Sequence, residues 1–382
     1  MPREESPATP SLPWRASSMA VMALTGILSR AFLYGLSRTE VDGLEGFLRV
    51  LDRRKDVKKR DRGLITVSNH VSVLDDPVIW GVLPFRYMFD PDNLRWSLGS
   101  YDICFKNRFT SQFFTYGQTL PTHRLAHSPY GGLFQPTITQ AIRLLSSGPF
   151  SIPPQPSPSL SPPQPSHPSP DTQPLLPEPP SDPFSSNHLT YTTNALDTFP
   201  SPSAYASRKH AWLHIFPEGK IHQKEDKTMR YLKWGVARLI LESDPCPTIV
   251  PMWIDGPQEM MHESRSFPRF LPRLGKSLQV VFGDEVDTES VFGDLRERWR
   301  ILKAREGVGQ EVGILTEGLK YGVEAVELRK ECTMRVREEV LKVRRKRGLP
   351  DEDPKAGLVE TWVQEGGKRE GRMKDGSWVK DT

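Results

Sequence analysis

The residues best suited to acid–base chemistry stand in one short segment, Asn69-His70-Val71-Ser72-Val73-Leu74-Asp75-Asp76-Pro77. Imidazole has an unperturbed pKa near neutrality, so His70 could act as a general base. A carboxylate within reach would fix the imidazole tautomer and stabilise the imidazolium, and Asp75 could supply it. Residues five apart on a regular helix point about 140° apart, so contact requires His70 in a turn and Asp75 in a first helical turn. Taken alone, the pattern more often marks a helix start that Asp75 or Asp76 caps.

Two further segments carry groups that could bind a substrate. Phe216-Pro217-Glu218-Gly219-Lys220 ends an apolar run with a proline–glycine turn, which projects a carboxylate and an ammonium group from the end of a strand. The segment from Gly117 to Arg124 supplies a guanidinium, which can hold a phosphate through two parallel hydrogen bonds. In isolation, the first segment is more typical of an ordinary turn, and Arg124 of a surface arginine.

The elements that must position these residues alternate between strands and helices. Runs rich in apolar and β-branched residues predict strands at 63–68, 211–216, 248–253 and 277–282. Helical spacing of apolar residues predicts helices from residue 76, at 138–147, at 230–242 and over the long charged stretch 311–347. This alternation is typical of an α/β fold with a central mixed sheet flanked by helices.

The N-terminal apolar stretch predicts contact with a membrane. Residues 16–29 are uncharged, but a spanning helix needs about 20 apolar residues, and Arg30 interrupts the run. A helix lying in the membrane interface over 16–40 is therefore favoured. A buried core helix and a full span with a snorkelling Arg30 are the alternatives. Residues 252–275, where aromatic residues and methionines alternate with basic residues, form a second candidate contact or a packed loop.

The composition of the 382 residues predicts which segments are ordered and which are disordered. Residues 151–202 hold 16 of the 36 prolines and ten serines, and such a segment buries too little apolar surface to offset its ordering entropy. The predicted organisation is a disordered N-terminus at 1–15, the interfacial helix at 16–40, a main domain at 41–347 interrupted by a disordered insert at 149–207, and a flexible tail at 348–382.

Charge, cysteine content and the lack of certain motifs argue against nucleic-acid-binding proteins, metalloproteins, disulfide-rich proteins and hydrolases. The net charge of +4 fits either a mixed solvated surface or basic patches that contact anionic lipid, and no recognisable nucleic-acid-binding motif is present. The three cysteines are far apart and no His-Glu-x-x-His pattern occurs, so the sequence predicts neither a metal site nor a disulfide framework. A Gly-x-Ser-x-Gly nucleophile elbow is also missing, which argues against a hydrolase.

The order of the segments is more informative than any one of them. His-x4-Asp, then Gly…Arg, then Phe-Pro-Glu-Gly, then Ile249-Val250-Pro251 resembles the four motif blocks of the glycerolipid acyltransferases, over roughly residues 64–255. The resemblance implies that His70 and Asp75 are the catalytic pair. It also implies that Arg124, Glu218 and Gly219 bind the glycerophosphate part of the acceptor, beside Lys220.

The sequence departs in two ways from the pattern of ordinary lysophosphatidate acyltransferases, and in both it resembles the tafazzin branch of the family. Six residues, where that pattern has five, separate Gly117 from Arg124. Lys220-Ile221-His222 follows Phe-Pro-Glu-Gly, where that pattern usually has Thr-Arg-Ser. This likeness implies transfer of an acyl chain from a phospholipid such as phosphatidylcholine to monolysocardiolipin, without coenzyme A or a metal. It also implies placement on mitochondrial membranes facing the intermembrane space. A coenzyme A-dependent lysophospholipid acyltransferase and a catalytically inactive lipid-binding scaffold are the alternatives.

Overall fold

The structure is a computed structural model of the chain. It describes residues 8–125, 127–150, 185–187, 189–265, 267–268, 270–307 and 311–365.

A seven-stranded mixed sheet forms the centre of the protein, in the order β1-β10-β9-β2-β8-β3-β4. Five neighbouring strands, from β9 to β4, run parallel, whereas β10 is antiparallel to β9 and β1 is parallel to β10. Three short strands, β5 to β7, form a separate antiparallel sheet. The strands are β1 Arg38–Asp42, β2 Leu64–Ser68, β3 Arg95–Ser100, β4 Thr119–Thr122, β5 Ser185–Asn187, β6 Thr190–Tyr191, β7 Phe199–Pro200, β8 Trp212–Ile215, β9 Thr248–Asp255 and β10 Ser277–Phe282.

Helices cover both faces of the main sheet, which confirms the predicted fold class. The helices are α1 Leu12–Leu36, α2 Leu44–Arg53, α3 Asp75–Ile79, α4 Tyr101–Cys104, α5 Arg108–Tyr116, α6 Pro136–Leu145, α7 Gly235–Glu242, α8 Pro257–Met260, α9 Thr288–Arg305, α10 Glu317–Tyr321, α11 Val323–Lys346 and α12 Val359–Glu365.

Alternation along the central strand β2 assigns its side chains to two hydrophobic cores. Ile65 and Val67 point to one face, where α6, α7, α9 and α11 pack. Leu64 points to the other face, where it packs with residues of α1, α2 and α3. All five residues of β2 are buried, so the strand that leads to His70 has little freedom to move.

The N-terminal helix begins earlier than predicted, at Leu12 rather than residue 16. Ser11 caps it by accepting a hydrogen bond from the Trp14 N–H, and proline occupies its first turn. Residues 8–15 are thus ordered, whereas residues 1–7 of the predicted disordered N-terminus lie outside the described residues.

The insert and the tail differ from the prediction in part. Residues 151–184 lie outside the described residues, but Tyr191 and Ala204 in the later part of the insert are buried. Ser201 and Ser203 donate hydrogen bonds to the Gln140 side chain of α6, at 3.0 and 2.8 Å. Serines in a segment that composition predicts to be disordered thus bind this part of the insert to α6. The tail is structured to residue 365, and Trp362 is only 1% exposed.

Candidate active site

His70 follows directly on the carboxyl end of β2, and Asp75 is the first residue of α3. The His70 Nδ1 atom lies 2.9 Å from Asp75 Oδ2, so the turn between strand and helix joins the two side chains. Asp75 is fully buried, whereas 21% of the His70 side chain is exposed. The His70 ring also stacks on Phe216, with 4.3 Å between ring centroids.

One carboxylate oxygen of Asp75 organises the whole turn. Oδ2 accepts hydrogen bonds from the N–H groups of Val71 and Ser72, at 2.6 and 2.8 Å, in addition to His70. An ionised carboxylate can only accept, so Nδ1 of neutral His70 carries the proton and Nε2 is the basic nitrogen. The N–H groups of Val71 and Ser72 are therefore bonded to Asp75 and do not serve as oxyanion donors in this geometry.

Glu218 lies beside His70 and binds the backbone through both carboxylate oxygens. Oε1 accepts from the His70 N–H and Oε2 from the Arg230 N–H, each at 2.8 Å. The side chain is 1% exposed. Burial raises the pKa of Glu218 to about 8, against the opposing effect of these two N–H groups and of nearby arginines. The structure therefore places Glu218 beside His70, but both of its carboxylate oxygens bind backbone N–H groups of the protein.

Gly219 and Lys220 form the turn after Glu218. Gly219 has a φ of +64°, a conformation that side chains disfavour, and a Cβ there would lie 2.8 Å from the Lys233 side chain. The Gly219 N–H donates to the Phe216 carbonyl, and the Lys233 N–H donates to the Pro217 carbonyl. This tight turn places the half-buried Lys220 at the same edge of the sheet as His70.

Arg124 follows β4 and lies at the same edge, because β2, β8, β3 and β4 are parallel. β4 is three strands from β2, which corresponds to roughly 14 Å at ordinary strand spacing. The Arg124 guanidinium pairs with Asp102, with Nε 3.1 Å from Oδ1 and Nη2 bonded to Oδ2. Arg124 therefore marks a separate region of the edge, away from the His70–Asp75 pair.

Several residues that support the site were not predicted from the sequence. Arg95 forms a two-pronged ion pair with Asp76, at 2.9 and 2.5 Å, which fastens the start of α3 to β3. Burial by itself would raise the pKa of Asp76, but the combined effects of Arg95, His214 and the Trp80 hydrogen bond lower it. Asn69 exchanges two hydrogen bonds of 2.8 Å with the Ile254 backbone and so extends the β2–β9 pairing up to His70. The double aspartate was the available signal for the first pair.

The buried His214 lies on β8 behind the His70–Asp75 pair. Its Nδ1 atom is 2.9 Å from Thr66 Oγ1, which also accepts a hydrogen bond from Trp212. Burial lowers the pKa of His214 to about 3, so this imidazole stays neutral. His214 therefore serves as packing beneath Phe216 and His70 rather than as a second base.

Helix α1 turns small residues towards the protein and large apolar residues outward. Its buried residues are Ser18, Ala23, Gly26, Ser29 and Leu33. Its exposed large residues include Leu12, Met19, Leu24, Leu28, Tyr34 and Leu36. By length and composition, α1 could cross a membrane. Only 22% of the residues in its most apolar 18-residue stretch are buried in the protein. The helix packs on α3, the element that carries Asp75.

Arg30 does not point away from α1 into solvent as a snorkelling side chain would. Its guanidinium donates to the carbonyls of Gly81, Val82 and Leu83, at 3.2 to 3.3 Å. In the second candidate membrane contact, Trp253 and Met260 are buried, whereas Phe267 and Phe270 are 86% and 73% exposed. Among the described residues of that segment, the large apolar side chains that are exposed lie in its later part.

No group of three or more His, Cys, Asp or Glu side chains could hold a metal ion in the part of the chain that the structure describes. The site consists instead of a histidine, its carboxylate partner and the backbone groups that hold them.

Comparison with known proteins gives the family. No family model matches the chain. Tafazzin of Saccharomyces cerevisiae is 32% identical over 91% of this chain and 83% of its own length, and Tafazzin of Drosophila melanogaster is 28% identical over 76% of this chain and 56% of its own length. The crystal structure of the 1-acyl-sn-glycerophosphate acyltransferase PlsC from Thermotoga maritima has a TM-score of 0.38 at 15% identity, over 76% of this chain and 79% of that one. The extent of the yeast match shows that this chain belongs to the tafazzin family of acyltransferases.

Proposed function

We propose that this protein is a coenzyme A-independent transacylase that remodels cardiolipin. It moves an acyl chain from a phospholipid such as phosphatidylcholine to monolysocardiolipin. The observation that carries the chemistry is the 2.9 Å hydrogen bond between His70 Nδ1 and Asp75, which leaves Nε2 as the base at the end of the central strand. Membership of the tafazzin family supports the choice of lipids as both substrates.

In the proposed reaction, one proton moves from the acceptor hydroxyl to His70 and then from His70 to the leaving group. His70 Nε2 removes the proton from the free hydroxyl of the acceptor as that oxygen attacks the ester carbonyl of the donor. Asp75 stabilises the imidazolium that forms. The tetrahedral intermediate collapses, the ester bond of the donor breaks, and His70 returns the proton to the departing glycerol oxygen. The products are the acylated acceptor and a lysophospholipid, so atoms and charge balance without a cofactor.

The acceptor phosphate is proposed to bind along the edge that carries Arg124, Gly219 and Lys220. Asp102 holds the Arg124 guanidinium through Nε and Nη2, which orients the remaining nitrogen for a phosphate oxygen. Lys220 adds a second cation nearer to His70. Glu218 contributes differently from the sequence expectation, since both its oxygens bind backbone N–H groups. Its proposed role is to hold the backbone of His70.

Membrane contact is proposed to occur through α1, in a mitochondrial membrane bordering the intermembrane space. In a water-soluble helix the large apolar side chains normally face the core, whereas α1 exposes Leu24 and Leu28 by 58% and 61%. Small residues on the inner face allow the close helix packing that is common in membranes. Because α1 packs on α3, the proposed lipid-facing surface adjoins the helix that carries Asp75.

The decisive experiment compares acyl donors with monolysocardiolipin as the acceptor. Purified protein is mixed with liposomes that contain labelled phosphatidylcholine, or with labelled acyl-coenzyme A. Transfer from phosphatidylcholine without coenzyme A is expected. Transfer from acyl-coenzyme A alone would establish the coenzyme A-dependent alternative, and no transfer from either donor would favour the inactive scaffold. His70→Ala should abolish transfer, whereas His262→Ala, which removes an exposed histidine, should not.

A further inference from the structure

The loop of residues 220–230 holds the backbone of His70 on both sides. The His222 N–H donates to the His70 carbonyl at 2.8 Å. On the other side, the Arg230 N–H binds Glu218, and Glu218 binds the His70 N–H. The position of the catalytic base therefore depends on the conformation of this loop.

The loop has no regular secondary structure of its own, since residues 220–230 form neither helix nor strand. Its backbone carbonyls are instead bound by two arginines of α11. Arg337 donates to the carbonyls of Met229 and Arg230, each at 3.0 Å. Arg344 donates to the carbonyls of Asp226 and Lys227, each at 3.3 Å. Both arginines are almost fully buried.

Residues 350–362, here called the C-terminal strap, complete these contacts. The Glu352 carboxylate pairs with Arg337 and lies 3.2 Å from Arg344, and it accepts a hydrogen bond from the Met229 N–H at 2.6 Å. The three charged side chains are 2% to 4% exposed. Without Glu352, two buried guanidinium groups would lack their carboxylate, which is strongly unfavourable.

The buried Trp362 ring also packs on this loop. Its ring lies edge-on to His222, with 4.9 Å between centroids, and the Lys224 ammonium lies 4.6 Å from the ring. The indole N–H donates to the Ala356 carbonyl at 2.8 Å, so the strap is folded on itself where it meets the loop. Trp362 thus covers the residue whose N–H binds the His70 carbonyl.

We infer that Glu352 and Trp362 are positioning residues of the active site, which act on His70 through the 220–230 loop. The inference rests on the proposed role of His70 as the base. Both residues lie in a segment that composition predicts to be a loose tail, outside the acyltransferase motifs. Because a catalytic group displaced by 1 Å can lose about 100-fold in rate, a loosened loop should reduce turnover without removing a substrate contact.

The test combines kinetics with hydrogen exchange of the full chain. Trp362→Ala and Glu352→Gln should lower kcat by about 10- to 100-fold with little change in KM. Trp362→Phe, which keeps a ring against His222, should retain most of the activity. Amide exchange in peptides that cover the 220–230 loop should rise in Trp362→Ala. Phe292→Ala, which removes an equally buried aromatic side chain from α9, is the control for general loss of stability.

Two results would overturn the inference. One is unchanged amide exchange of the loop in Trp362→Ala. The other is a kcat for Trp362→Ala no lower than that of Phe292→Ala. If the wild-type protein transfers no acyl chain, the proposed function fails, but the exchange comparison still decides whether the strap holds the loop.

Discussion

Replacing Glu218 by glutamine separates a positioning role from acceptor binding. The two side chains have the same shape, but the amide offers one acceptor oxygen and one donor group. In the native site, each carboxylate oxygen accepts a backbone N–H, from His70 and from Arg230. In Glu218→Gln, one of these N–H groups must face an NH2 group. Water cannot compensate, because the side chain is 1% exposed.

The expected size of the effect follows from the cost of a buried donor without an acceptor, about 1–3 kcal/mol. If the backbone of His70 shifts to relieve it, a similar free energy is added to the barrier. A change of 1.36 kcal/mol is tenfold in rate, so kcat should fall by about 5- to 150-fold. Urea unfolding should show a loss of stability in the same range of about 1–3 kcal/mol.

The assay is transacylation at varied monolysocardiolipin concentration in mixed liposomes. A positioning role predicts a lower kcat with an unchanged KM for the acceptor, whereas loss of an acceptor contact predicts a higher KM. Glu225→Gln, in an exposed carboxylate of the neighbouring loop, is the matched control and should behave as wild type. A raised acceptor KM with unchanged kcat in Glu218→Gln would refute the positioning role.

Three further predictions concern the proposed catalytic pair, the pH dependence of stability and contact with the membrane. Asp75→Asn should reduce kcat by about 100- to 10,000-fold, because the amide cannot stabilise the imidazolium; single-turnover assays would measure it, and a loss under tenfold would contradict the assignment. The contribution of Glu218 to stability should fall as pH rises from about 5 to 8, opposite in sign to that of the neutral buried His214 below about pH 6.5. The pKa of Glu218 is raised to about 8 in the folded protein, while unfolded glutamate titrates near 4.5, so unfolding releases a proton in this window. One proton changes the unfolding free energy by at most about 1.4 kcal/mol per pH unit, and urea titrations of Glu218→Gln should lack this slope. Leu24→Lys with Leu28→Lys should weaken sedimentation with liposomes and leave the fold intact by circular dichroism; unchanged sedimentation would argue against contact through α1.

Four inner strands of the main sheet were predictable from sequence, but the inner strand β3 and the two edge strands were not. β2, β8, β9 and β10 begin and end within a few residues of the predicted ranges, because apolar runs are required where a strand is covered on both faces. β1 alternates between exposed and half-buried residues at one edge, and β4 includes a proline at the other, so neither gives the same apolar signal. The long C-terminal helix was also predicted, but it divides at Gly322 into α10 and α11.

The parts of the site that local sequence could predict are those that lie close in the chain. His70 and Asp75 are five residues apart, and the turn between strand and helix was sufficient to predict their contact. Glu218 binds a backbone group 148 residues away, and its orientation depends on the 220–230 loop. Glu352 depends on a further contact, 123 residues away at Met229. Such contacts are fixed by tertiary packing, which no local pattern encodes.

The contact between His70 and Asp75 depends on the turn that Asp75 holds in place. The sequence allowed either a helix cap or a catalytic partner; Asp75 makes no capping hydrogen bond to α3, and its Oδ2 contacts His70 and the N–H groups of Val71 and Ser72, which precede the helix. By accepting the N–H groups of Val71 and Ser72, Asp75 folds the turn back on itself, and this fold brings the imidazole to the same oxygen. A carboxylate one residue earlier or later would lie about 100° around the axis of α3 and could not make all three contacts. The turn is therefore the means by which the His70–Asp75 pair forms, so a substitution that disturbs the turn should impair the proposed base even where His70 and Asp75 are both retained.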